Sequence, residues 1–183
     1  MNRIRTAAVV VVAMIVLSVA PAHAKVLAGR IGVGFNTQLA TVFSGPGTIA
    51  STSTESLSAK YWFTSAIGMQ ALLGFNTWRL GTTLNYDLET GAKFLYNVVQ
   101  EENMNFFLDA GGGVLVVGHG KAGKNHDVGF TVMAGGGLEW FFQGLPNLGF
   151  DVELGLQYND VGNYARFGSY GGAFGTFGVH YYF

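Results

Sequence analysis

The chain contains no cysteine, which excludes a disulfide framework, a thiolate metal centre and a lipid anchor on cysteine. Charge is scarce too. Asp, Glu, Lys and Arg make up 11% of 183 residues and the formal net charge is −1, leaving no electrostatic case for nucleic acid. Beyond residue 24 no uninterrupted apolar run reaches the ~20 residues that a membrane-spanning helix needs. What is abundant is glycine, at 28 residues, and aromatic side chains, at 14%. That mixture is too apolar for a disordered chain and too glycine-rich for a helical one, so it favours strands in a single domain.

Residues 1–24 read as a cleaved secretory signal. Arg3 and Arg5 supply the positive start, Ala7 to Val19 the apolar run, and Ala22-His23-Ala24 the small-x-small cleavage site. Pro21 and the short apolar run argue against an uncleaved anchor. The mature domain is therefore expected to be 25–183.

Period-two alternation predicts eight strands, at 27–37, 57–63, 67–77, 84–98, 104–117, 128–142, 148–158 and 171–183. Tight turns separate the second from the third, the fourth from the fifth and the sixth from the seventh. Loops are expected at 38–56, 77–83, 118–127 and 159–170. An even number of up-and-down strands with tight turns at one end is the pattern of an all-β, antiparallel transmembrane barrel.

A soluble barrel shares that period, so the character of the two faces decides between them. One face carries most of the large rings and aliphatics. The other carries glycine together with Arg30, Lys60, Asp87, Glu89, Lys93, Asp109, Glu139, Asp151 and Glu153. An eight-stranded barrel is barely wide enough for its own side chains, so the bulky face is expected outside. An outward apolar belt is stable in lipid, where an exposed Arg or Lys costs ~2–4 kcal/mol at mid-depth. The outward aromatics sort into two girdles: Phe63, Tyr96, Phe106, Trp140, Phe142, Phe150, Tyr181 and Phe183 at the turn end, and Phe35, Phe75, Tyr86, Phe130 and Tyr158 at the loop end.

The final strand is apolar to its last residue, with Val179, Tyr181 and Phe183 on one face. Taken with the signal peptide, eight strands and polar lumen, this terminus resembles the small eight-stranded bacterial outer-membrane β-barrels of the OmpA/OmpX type. The resemblance implies a monomer in the outer membrane of a Gram-negative bacterium, with extracellular loops and periplasmic termini. It implies contact with outer-membrane lipid and lipopolysaccharide, and a non-enzymatic role in envelope structure or surface contact. It also implies that the barrel-assembly machinery reads Val179, Tyr181 and Phe183 as an insertion signal.

Candidate chemistry is sparse. Gly118 to Asn125 nearly spells the phosphate loop G-x-x-x-x-G-K-[ST], but Asn125 replaces the hydroxyl and the next segment alternates as a strand where a helix is required. It reads as a basic surface loop whose Lys121 and Lys124 suit lipopolysaccharide phosphates. His119, His126 and Asp127 lack a third fixed histidine for a metal. His180 is expected inside as a hydrogen-bonded lumen group. No Ser/His/acid set is expected at the membrane interface, so neither a catalytic residue nor a cofactor is predicted. The lumen charges, three cations and six carboxylates, must largely pair. They predict an ion-pair plug, with a narrow cation-preferring pore and then a lipid-modifying enzyme as the alternatives. Gly112 and Gly136 are expected to leave a smooth outer patch, while Gly111, Gly113, Gly135 and Gly137 make room inside.

Overall fold

The computed structural model describes residues 26–45, 48–80, 83–119, 125–170 and 175–183. The expected signal at 1–24 and the loop lysines Lys121 and Lys124 lie outside these residues. Within them the chain forms β1 (Ile31–Gly45), β2 (Thr48–Trp62), β3 (Ile67–Leu80), β4 (Thr83–Gln100), β5 (Met104–His119), β6 (Asn125–Phe142), β7 (Leu145–Val161), β8 (Tyr164–Ser169) and β9 (Thr176–Tyr182). Strands β1 to β7 pair antiparallel in sequence order. β9 pairs with both β7 and β1 and closes the ring.

The barrel therefore has eight staves, the last shared by β8 and β9. β7 pairs with β9 from Leu148 to Glu153 and with β8 from Leu156 to Val161. Between those stretches lie residues 154–155 on β7, and on the eighth stave the segment that separates Ser169 from Thr176. Following the register once around fixes the stagger: from Asp151 it passes Gly178, Asn36, Ser56, Gly74, Glu89, Leu115 and Gly129 and returns to β7 at Val161. That is a displacement of 161 − 151 = 10 residues, the shear of a tilted, closed sheet.

All four predicted loops are partly strand. β1 and β2 stay paired to Gly45↔Thr48, through most of 38–56. β3 and β4 meet at Leu80↔Thr83, and Val161 turns through Gly162 (φ 59°) into β8, with Val161 paired to Tyr164. Alternation cannot detect these extensions because a ladder needs only backbone N–H and C=O groups, and Ser- and Thr-rich segments supply them as well as apolar ones. In the fourth, β5 reaches His119 and β6 begins at Asn125.

At the other end β1 begins at Ile31, four residues after the predicted start. Gly29, at φ 76°, turns the chain. Its N–H donates to Trp62 O at 2.7 Å, and Arg30 N–H donates to Leu27 O at 3.0 Å. The turn tucks Leu27 beneath the barrel, where it is fully buried.

The two faces are inverted relative to a water-soluble domain. Val33, Phe94, Leu108, Phe130, Val132, Leu154 and Leu156 all stand exposed on the outside. Outer rings form a contact chain at the turn end, from Trp140 through Phe142 and Phe150 to Phe177, with Tyr61 against Phe63 and Tyr181 against Phe183. Phe130 meets Tyr158 at the loop end.

Candidate functional site: the sealed lumen

Strand parity aims Lys60, Asp87, Glu89, Lys93, Asp109, Glu139, Asp151 and Glu153 inward, and none is more than 8% exposed. Arg30 departs from the prediction. Because β1 starts at Ile31, Arg30 lies on the rim, half-buried. There its Nη2 donates to Asn147 Oδ1 at 2.8 Å and to Tyr182 O at 3.0 Å, and its Nε donates to Phe183 O at 3.3 Å. Phe183 N–H in turn donates to Ile31 O at 2.9 Å, so Arg30 ties the start of β1 to the end of the chain.

Lys60 is the hub inside. Its Nζ donates to Asp151 Oδ1 at 3.0 Å and Glu139 Oε1 at 3.3 Å, with all three side chains fully buried. Asn36 Nδ2 donates to Asp151 Oδ2 at 3.2 Å. Tyr182 Oη donates to Glu139 Oε1 at 2.7 Å, and Trp62 Nε1 donates to Tyr182 Oη at 3.4 Å. Lys93 forms a second buried ion pair with Glu153. Asp109 accepts from Tyr170 Oη at 3.1 and 3.2 Å.

Tyr170 was hidden from the sequence pattern because 159–170 lacks alternation. Its ring directly follows the end of β8 and fills a slot over two paired inner glycines, Gly135 and Gly155. A Cβ at Gly135 would stand 2.2 Å from Tyr170 Oη, and one at Gly155 would stand 2.3 Å from Tyr170 Cε1. The signal that could have found it is this registered pair of inward glycines, a hole that needs a ring.

The same device builds the floor. Trp62 is paired with Gly68, Phe107 with Gly137, Phe141 with Gly149 and Tyr182 with Gly32. Each ring reaches to within 3.1 Å or less of where its partner's Cβ would be, as when an aromatic covers a cross-strand glycine. These four rings join Leu27 and Leu95 in one cluster in which no residue exceeds 2% exposure. Lys60 Nζ lies 5.3 Å above the Phe107 ring centre, so the charge network rests on an apolar seal at the turn end. The bulky residues are therefore not all outside: the lumen takes rings wherever it has glycine opposite.

The lumen also assembles a set that was not expected. His180 Nε2 lies 2.7 Å from Ser58 Oγ, and His180 Nδ1 lies 2.8 Å from Asp151 Oδ1. This is the connectivity of nucleophile, base and orienter. It lies inside the barrel, with Ser58, His180 and Asp151 at 3%, 0% and 0% exposure. Gln70 Nε2 occupies Ser58 Oγ at 2.8 Å, and Lys60 and Asn36 occupy Asp151. A nucleophile needs an approach for its substrate, and here every member is already engaged. Glu139, Asp151 and His180 also bring ligand atoms within 4.8 Å of one another. The Lys60 ammonium bonded to both carboxylates already supplies the positive charge a metal would bring. His126 and Asp127 lie exposed on β6, away from this group.

No protein-family model matches the chain, and no curated protein matches it by sequence. Solved structures do match. The chain is similar to Ail, the attachment invasion locus protein of Yersinia pestis, with 15% identity and a TM-score of 0.52 over 85% of this chain and 99% of that one. It is similar to the N-terminal β-barrel domain of Pseudomonas aeruginosa OprF, with 13% identity and a TM-score of 0.53 over 85% and 98%. Ail in complex with the heparin analogue sucrose octasulfate gives 14% identity and a TM-score of 0.51 over 85% and 99%. The chain thus has the fold of the small eight-stranded OmpA/Ail-type outer-membrane β-barrels.

Proposed function

We propose that the protein is a non-enzymatic barrel of the Gram-negative outer membrane that serves envelope structure or surface contact. The observation that carries this reading is the inversion of its faces: large apolar groups outside, and charges inside that are mostly paired over an apolar floor. Only a lipid surround makes such an exterior favourable along its whole height. In this reading the tight turns and both termini are periplasmic, the loop end is extracellular, and the barrel is a monomer. Lys121 and Lys124 make phosphates of lipopolysaccharide the natural contact of the β5–β6 loop. A barrel of this fold, Ail, was solved in complex with the heparin analogue sucrose octasulfate. The outward set of Val179, Tyr181 and Phe183, with Tyr181 and Phe183 at 47% and 75% exposure, supports the reading of this terminus as the signal for the barrel-assembly machinery.

The floor of Leu27, Trp62, Leu95, Phe107, Phe141 and Tyr182 argues against the pore. Single-channel recording in a planar bilayer tests it. The purified barrel is expected to give no stepwise openings, whereas reproducible cation-selective steps would reinstate the pore.

A further inference from the structure

Two buried carboxylates stand apart from the networks above. Asp87 and Glu89 lie two residues apart on the inner face of β4, so their side chains leave the backbone in the same direction, about 7 Å apart. They are 8% and 5% exposed. Among the described residues, Asp87 Oδ1, Asp87 Oδ2 and Glu89 Oε1 are buried without a hydrogen-bond partner.

The register explains this. Beside Glu89 stand Gly74 on β3 and Leu115 on β5; beside Asp87 stand Asn76 and Val117. The next inward positions along β4 are Asn85 and Gly91. None of these is a cation; Lys60 is bonded to Asp151 and Glu139 and Lys93 to Glu153, and Arg166, at the inward register position of β8 opposite Asn159 with its guanidinium beside Gly168, is bonded to neither Asp87 nor Glu89. Asp109, Glu139, Asp151 and Glu153 each have a cation or a hydroxyl as partner. Two uncompensated buried carboxylates would be strongly destabilising.

We propose that Asp87 and Glu89 form a binding site for a hard divalent cation, Mg²⁺ or Ca²⁺, in the upper lumen. The chemistry fits. Two carboxylates balance the ion's charge, all the donors are oxygen, and Mg²⁺ in particular is commonly held by one or two carboxylates with waters completing its shell. Asn76, on the same face at the register position opposite Asp87, places a further amide beside the pair. The ion enters from the loop end, because the floor closes the turn end and Asp87 lies close to the loop-end start of β4.

The test is thermal unfolding of the refolded barrel in zwitterionic detergent free of lipopolysaccharide. It is titrated with MgCl₂ or CaCl₂ against NaCl at matched ionic strength. The wild-type midpoint is expected to rise by a few degrees with millimolar divalent salt and to fall back with EDTA, since a ligand that binds only the folded state stabilises it. Asp87→Asn/Glu89→Gln is expected to raise the metal-free midpoint and to abolish the divalent response. A wild type with no divalent-specific rise would overturn the site, and so would a rise that persists undiminished in the double variant. Should the double variant not fold, aromatic-sensitised Tb³⁺ emission from the wild type decides. Emission displaced by Ca²⁺ supports the site, and no emission overturns it.

Discussion

Lys60→Met is expected to destabilise the folded barrel by about 3–5 kcal/mol, measured by urea unfolding in lipid bilayers. Lys60 is the only cation bonded to Asp151 and Glu139 among the described residues, and all three side chains are fully buried. Removing it leaves two fully buried carboxylates directly above the apolar floor of Phe107 and Trp62, without the ammonium that both accept from. The loss comes from stranding the partners, because a buried pair often contributes little net stability beyond an apolar replacement. The triple variant Lys60→Met/Glu139→Gln/Asp151→Asn is therefore expected to recover most of the loss. A triple variant as unstable as the single one would show that Lys60 acts by packing over Phe107 and not through its charge.

The second large effect lies on the opposite face. Val132 is 49% exposed near the middle of β6, opposite Gly112 across the β5–β6 pair. In water, arginine at so exposed an apolar position changes stability within about 0.5 kcal/mol. At mid-depth in a bilayer it costs ~2–4 kcal/mol. Val132→Arg is expected to show the larger loss when the barrel is unfolded from lipid vesicles. A change of a few tenths would mean that this face does not meet hydrocarbon.

The inside–outside assignment was legible because it depends only on parity: Lys60, Lys93, Glu139, Asp151 and Glu153 share a face with glycine, and that face is the lumen. Partner choice was not legible. Lys60 meets Glu139 and Asp151, which are 79 and 91 residues away in sequence, and the ten-residue stagger that brings them together is a property of closure. The strand tips were missed for a different reason. Segments such as 48–54 are held in register by a backbone ladder, which side-chain periodicity does not mark. Leu27 was placed on a strand because the positive φ of Gly29 cannot be read from an apolar run. The rings of the floor were detectable in principle, since each sits opposite an inward glycine, but that pattern appears only once strands are set in register.

The central claim is that the outer face meets lipid while the floor of the lumen is closed to both lipid and water. Trp140 and Trp62 report on the two faces: Trp140 is 47% exposed on the outside, and Trp62 is fully buried in the floor. Single-tryptophan barrels, with the other tryptophans replaced by phenylalanine, can be reconstituted in vesicles whose acyl chains carry bromine. The account predicts strong quenching of Trp140 by the brominated chains, and a Trp62 emission untouched both by them and by aqueous acrylamide. Trp62 quenched by acrylamide or lipid, or Trp140 spared by the brominated chains, would contradict it.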